Sequence, residues 1–276
     1  MITKNDKNTT LSSLGILVTD FLDSSPSMTL NRREVTNRSG YIYNGAVHKE
    51  KTIQVVGKIC VSSEYDFELK KDEINGLISN DEPFYLTKML PEQGMYSFEL
   101  PGERTGDLEL LSIPHKEYRY RYKVILEDSI GYEFVGRYSE GMLIAFSATF
   151  KTAELPYGET IPKNITVTDS IPYEGTAKCN QLEWPWEIKL TASANQTGLI
   201  KLMIGERTFT YQANMAINSG DVIRISGVET TVNDINVNDW TNYEHFILEP
   251  SSNKTIPVVT NFKGKIQIIN KVDLYK

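Results

Sequence analysis

Cysteine and histidine are scarce in this chain: 276 residues contain two of the first and three of the second. Cys60 and Cys179 stand far apart, one in each half, which excludes a stapled small scaffold and a four-cysteine zinc site, so free thiols are expected. His48, His115 and His245 show neither H-x-H nor H-E-x-x-H spacing, and no histidine metal centre is readable. No segment approaches the roughly 18 apolar residues that cross a bilayer. The stretch from Met1 to Ser13 is polar, and Leu14 to Val18 is too short for the apolar part of a signal peptide, so neither export nor a membrane is expected. Five sequons, at Asn8, Asn37, Asn164, Asn195 and Asn253, then read as chance in a chain rich in Asn and Thr. A cationic excess is also missing: the formal charge is −7, which argues against a nucleic-acid partner. Neither a G-x-x-x-x-G-K-[ST] loop nor a G-x-G-x-x-G fingerprint occurs. The run Gly136 to Gly141 is one residue too long for a nucleophile elbow and lies between apolar strands, so a hairpin turn is expected there.

What the chain does contain is alternation. Ile53, Val55, Gly57, Ile59 and Val61 share one side of an extended segment, the period of a half-buried strand. From Phe67 the spacing changes: Phe67, Ile74, Leu77 and Ile78 predict one helix near 67–79, with Ser62 and Ser63 as caps and Pro83 beyond its end. A loop-rich stretch follows, Pro91 to Gly94 and Pro101 to His115, interrupted by a short strand at Tyr96, Ser97 and Phe98. Tyr118, Tyr120, Tyr122, Val124 and Leu126 then alternate with Arg119, Arg121 and Lys123, giving a strand with one buried and one cationic face. Three cations on one side repel unless answered, so acidic partners on a neighbouring strand or subunit are expected, solvent exposure being the alternative. Met142 to Phe150 closes this half.

The prolines at 156, 162 and 172 mark the linker, and the boundary is placed near 155, giving domains 1–155 and 156–276. Beyond it Trp184, Trp186, Ile188, Leu190 and Ala192 predict one strand face, and short strands follow between turns. In the clearest unit, Ser219-Gly220-Asp221 supplies a turn and Ile223 and Ile225 share a face. The expected class is mainly β: an N-terminal domain that mixes sheet with one helix, then an all-β domain for which a β-sandwich is the natural way to bury its strand faces. Asp234-x-Asn236-x-Asn238 imitates the start of a calcium loop, but Asp239 stands where glycine is required and His245 where the closing Glu belongs. Trp240, Tyr243 and His245 form a candidate contact for sugar or for a protein partner. No catalytic residue, cofactor or metal ligand is predicted.

The succession of parts resembles the distal tail protein family of siphophages that infect Gram-positive bacteria, and related components of prophages and tail-like bacteriocins. The residues that carry the likeness are the strands around Arg33 to Gly45, the strand Ile53 to Val61, the helix with Leu69-Lys70-Lys71-Asp72-Glu73-Ile74, and Glu82-Pro83-Phe84-Tyr85-Leu86. They continue through Gly175-Thr176-Ala177, Trp184-Pro185-Trp186-Glu187-Ile188, Ile217 to Ile225, and Phe246-Ile247-Leu248-Glu249-Pro250. One departure is visible: the family often has Leu-Pro-Gly followed by Asn where this chain reads Leu248-Glu249-Pro250-Ser251-Ser252-Asn253. The resemblance implies an N-terminal β-sandwich that assembles into a hexameric ring at the virion tail tip, made in the bacterial host cytoplasm, and a galectin-like C-terminal β-sandwich facing outward. The implied partners are other copies of the chain, the tail tube protein, the tail-associated hub protein and a receptor-binding protein. Cell-wall carbohydrate recognised by the C-terminal domain is the alternative. A ring needs two different flanks on each subunit. Arg32, Arg33, Tyr41 and Tyr43, in an arm from Arg32 to Gly45, and Arg119, Arg121 and Lys123 are the interface candidates.

Overall fold

The computed structural model describes residues 1–92, 114–138, 141–212 and 216–276, apart from the side chain of Tyr138. The expected strand at Tyr96, Ser97 and Phe98, and the loops flanking it between 93 and 113, lie outside the described residues. The chain divides into two compact units, Met1–Gly158 and Glu159–Lys276, slightly beyond the boundary expected near 155.

In the first unit the strands are β1 (Ile2–Lys4), β2 (Lys7–Thr9), β3 (Ile16–Asp23), β4 (Met28–Glu34), β5 (Tyr41–His48), β6 (Thr52–Val61), β7 (Phe84–Pro91), β8 (His115–Leu126), β9 (Gly131–Tyr138) and β10 (Gly141–Thr152). Helix α1 (Glu64–Ile78) lies between β6 and β7. The main sheet runs β2-β1-β7-β8-β10-β6-β3, with β9 also on β10. β10 is the pivot: Phe150 to Thr152 pair with β8, Gly141 to Ser147 pair with β9, and β6 follows it from Met142 to Lys151. Because alternate side chains of a strand point to one face, Ile53, Val55 and Ile59 of β6 meet Ile144, Phe146 and Phe150 of β10 in one core, as their spacing predicts. Phe84 and Leu86 of β7, Tyr122 and Val124 of β8, and Ile74 and Ile78 of α1 complete it.

The helix starts at Glu64, earlier than its first apolar residue, Phe67, indicated. Ser63 is extended (φ −147°, ψ 167°), and its hydroxyl accepts the N–H of Asp66 at 3.1 Å. This cap, together with the acidic first turn of Glu64 and Asp66, sets the start, whereas apolar spacing registers only residues that touch the core.

In the second unit, after the junction strand β11 (Gly158–Glu159), come β12 (Lys163–Val167), β13 (Ser170–Pro172), β14 (Cys179–Asn180), β15 (Glu187–Ala192), β16 (Leu199–Ile204), β17 (Arg207–Gln212), β18 (Val222–Ile225), β19 (Thr230–Val232), β20 (Ile235–Asn236), β21 (Ile247–Leu248), β22 (Thr255–Thr260), β23 (Gly264–Lys271) and β24 (Leu274–Tyr275). One sheet has the order β12-β23-β15-β18-β19-β20 and a second the order β13-β22-β16-β17. Alternate residues of both are buried, among them Ile188 and Leu190, Ile223 and Ile225, and Ile200, Leu202 and Ile204, the pattern of two sheets packed face to face. The chain is therefore mainly β with one helix among the described residues, as its patterning predicts.

Two expectations are corrected here. The stretch 163–172, taken as linker from its prolines, forms β12 and β13; Pro172 ends an edge strand, where a missing N–H costs no ladder bond. The apolar stripe of β15 begins at Trp186, which is fully buried; Trp184 precedes the strand, is half-buried, and donates its indole N–H to the Asn270 carbonyl at 3.2 Å. The turn before β18 forms as expected, with Gly220 at φ +94° and the Asp221 carboxylate accepting the N–H of Asn218 at 2.7 Å.

Candidate assembly surfaces

Strands β3 and β6 pair from Ile16 with Ile59 to Asp23 with Ile53, and the same two chain segments then continue beyond the sheet. Backbone bonds from Ser24 to Thr52 and from Ser27 to Glu50 carry the ladder into β4 and β5, which among the described residues pair only with each other. The hairpin is an arm running from Met28 to His48, longer at its root than the expected segment from Arg32 to Gly45.

Directly opposed residues of an antiparallel pair share a face. Arg32 opposes Tyr43, Glu34 opposes Tyr41, Leu30 opposes Ala46 and Met28 opposes His48, with a bulge between Leu30 and Arg32. One face of the arm thus presents Met28, Leu30, Arg32, Glu34, Tyr41 and Tyr43; the guanidinium of Arg32 lies 4.5 Å from the centre of the Tyr41 ring, and Tyr43 is 66% exposed. The other face shows Arg33 opposite Ile42, and Thr29 opposite Val47. Apolar side chains on both faces remain in water, including Ile42 and Val47. A two-stranded hairpin with no core of its own is marginally stable in water.

The root of the arm is held by polar groups that the sequence does not single out. Lys51, 2% exposed, stands 3.7 Å from the Asp23 carboxylate and 4.9 Å from the centre of the Tyr122 ring. The Tyr122 hydroxyl donates to the same carboxylate at 2.7 Å, and Lys88 approaches it at 3.9 Å. Burial pushes the Lys51 ammonium below its ordinary value, against the pull of Asp23. Burial raises the Tyr122 phenol, and its bond to Asp23 raises it further. Nearby, the ring nitrogen Nδ1 of His48 is 2.8 Å from the Tyr157 hydroxyl.

On β8 the cations are answered by different groups. Lys123 pairs with Glu154, Arg121 lies 3.5 Å from the centre of the Tyr85 ring, and exposed Arg119 lies 5.9 Å from that of Tyr118. An acidic partner was expected for this face, and Lys123 has one. All three thereby have partners within their own unit.

In the second unit the structure brings Trp240 and Tyr243 to the surface, 47% and 67% exposed. Tyr243 sits at φ +56°, and its hydroxyl donates to Asp239 at 3.1 Å, a bond that raises its pKa. His245 is only half exposed: its Nδ1 lies 4.0 Å from Glu244, which accepts a hydrogen bond from Arg207 at 2.7 Å. The side chains of the calcium-loop imitation are used in holding the turn. Asn238 accepts the Thr230 N–H at 2.7 Å and donates to the Val228 carbonyl at 3.1 Å, while Asn236 donates to Glu229 at 2.9 Å. Among the described residues no group of three or more His, Cys, Asp or Glu is placed to hold a metal ion, and no helix is long and apolar enough to cross a membrane. Both cysteines are free; Cys60 is exposed, and burial pushes the Cys179 thiol up to about 12.

The structure thus holds an exposed hairpin at the edge of one sheet and two units of largely antiparallel strands. The family model of the phage tail protein RIFT-related domain matches residues 7–148, just over half of the chain. The chain belongs to this family of phage tail proteins. Among solved structures it is similar to the Dit protein of phage SPP1, described as a paradigm of the hub adsorption apparatus in phages infecting Gram-positive bacteria. Identity is 11%, 98% of each chain is covered and the TM-score is 0.64, which establishes a shared fold. The baseplate of phage P2 in its activated conformation with calcium aligns over 94% of this chain and 90% of its own at 10% identity, but the TM-score of 0.36 carries no argument. No curated protein matches the chain.

Proposed function

We propose that this phage tail protein is the distal tail protein of a siphophage infecting Gram-positive bacteria, a structural subunit without catalytic function. Six copies close a ring at the tip of the virion tail after synthesis in the host cytoplasm. The ring joins the tail tube protein to the tail-associated hub protein, and the second unit, a galectin-like sandwich, faces outward where a receptor-binding protein docks. The observation that carries this reading is the arm: Met28, Leu30, Tyr41 and Tyr43 are exposed on one face of a hairpin that, among the described residues, joins no larger sheet. Such a hairpin is stabilised by a neighbour, and a head-to-tail contact repeated around an axis closes a ring. Arg33 on the opposite face, together with Arg119, Arg121 and Lys123 on β8, is the reading's second set of interface residues.

Native mass spectrometry of the purified chain with negative-stain imaging, alone and with the tail tube protein, tests the proposal. A closed six-membered ring is expected. A chain that remains monomeric under both conditions overturns it. A second reading, recognition of cell-wall carbohydrate by the second unit, is favoured by Trp240 and Tyr243, whose exposed rings offer apolar faces to a sugar. It requires glycan affinity in the monomer that Trp240→Ala removes.

A further inference from the structure

Helix α1 carries a second surface that the core does not use. Ile74 and Ile78 face inward, whereas Tyr65 and Leu69, one turn apart, stand 73% and 55% exposed on the opposite side. Around them the exposed positions are Glu64, Glu68, Asp72 and Glu73, so the outward face is apolar at its centre and acidic at its margins. Lys70 and Lys71 are only half exposed and flank it.

We propose that this face of α1 is the seat of the arm of a second copy of the chain. The inference rests on the ring reading above and names the surface the arm grips. The complementarity is mainly apolar: the arm face carries Met28, Leu30, Tyr41 and Tyr43 with one cation, Arg32, and one carboxylate, Glu34, among them, and α1 presents Tyr65 and Leu69 with carboxylates at the margin that Arg32 can reach. The acidic side chains have partners within the chain, Glu64 with Arg137 at 3.0 Å, Glu68 with Lys71 at 3.3 Å and Glu73 with Lys70 at 2.7 Å. These pairs are exposed and worth little, so exchanging them for Arg32 costs little.

The dimensions agree as well. A helix of 15 residues is about 22 Å long at the usual rise. Strands of 7 and 8 residues span about 23–27 Å. Within one chain the arm leaves from the Thr52 end of β6 and α1 follows from its Val61 end, which directs the arm away from the start of its own helix.

Site-directed cross-linking tests the seat. Tyr43→Cys and Leu69→Cys are made in separate chains, each with exposed Cys60→Ser, then mixed and treated with a short bismaleimide; Cys179 is buried. The expected product is a covalent dimer joining position 43 of one chain to position 69 of the other, seen only when both variants are present. Arg32→Glu is expected to weaken self-association tenfold or more, and Asp72→Arg added to it to restore most of the loss. An oligomer by native mass that gives no such cross-link overturns the α1 seat and leaves the ring reading standing. A chain monomeric at every concentration overturns both.

Discussion

Tyr122 and Asp23, 99 positions apart in the chain, are joined by a hydrogen bond of 2.7 Å in which the phenol donates to the carboxylate. The bond ties the middle of β8 to the last residue of β3, where the arm leaves the sheet, and buried Lys51 lies against both. An ion pair in this position closes the side of the core from which the hairpin projects.

Asp23→Asn removes the carboxylate that faces Lys51 and leaves an ammonium that is almost fully buried. Breaking a fully buried pair costs roughly 3–5 kcal/mol, and with Asp23 partly exposed the expected loss is about 2 kcal/mol. Urea denaturation measures it. If Lys51→Met added to Asp23→Asn fails to recover part of the loss, the stranded charge is not its cause.

Stability is expected to fall as pH rises above 10. Burial raises the pKa of Tyr122 and Tyr173, and that of Tyr132 to about 12, relative to the ordinary value of 10.0. Between the ordinary and the raised value the unfolded chain has lost these protons and the folded chain keeps them, so rising pH favours unfolding. Lys51 acts in the opposite direction: its lowered pKa means that the folded chain loses a proton first, which favours folding as pH approaches 10.5. Tyrosinate absorbance followed beside circular dichroism separates them; the buried tyrosines should ionise together with loss of structure, and early ionisation in a folded chain would refute the assignment.

Gly57 faces the core at a point where β3 and β6 approach closely. A Cβ there would stand 2.8 Å from the Leu17 carbonyl oxygen and 3.0 Å from the Ile16 side chain. Backbone cannot yield as a side-chain tip does, so Gly57→Ala is expected to cost about 1–3 kcal/mol. Thermal unfolding checks this, and a melting temperature equal to that of the parent chain would show that β3 moves freely.

Ser63→Ala removes the acceptor of the Asp66 N–H and should destabilise the first unit by about 1 kcal/mol. Ser63→Asn, which can cap in the same way, should restore most of it in the same denaturation experiment.

Tyr41→Ser with Tyr43→Ser alters two exposed side chains of the arm and should change the stability of the monomer by no more than about 0.5 kcal/mol. Self-association measured by sedimentation should nevertheless fall at least tenfold. Equal loss of fold stability would show that the arm packs on its own unit.

The strands of the core were legible because alternation is a local signal. Ile53 to Val61 and Tyr118 to Leu126 place their apolar residues inward as their spacing predicts, and Ile223 and Ile225 follow their turn into the second unit's core. Local patterning failed where another force took over. It missed the first turn of α1, which is set by a cap, and the strands at 163–172, which are sustained by β22 and β23 nearly ninety positions or more away. It also grouped Trp184 with Trp186, although Pro185 between them precedes the strand and only Trp186 enters the core.

The two interface regions divide in the same way. Arg32, Tyr41 and Tyr43 were singled out as part of an arm, but their spacing alone resembles that of a strand with one buried face. By itself the sequence determined which segments extend, which one coils and where the chain turns, since these follow from side-chain period, capping and glycine. Only the tertiary structure decided which extended segments find a core, because burial depends on partners distant in the chain. The β3 and β6 ladder is backed by β10 along its length, whereas its continuation, β4 with β5, pairs with no further strand among the described residues, and that difference makes it an arm.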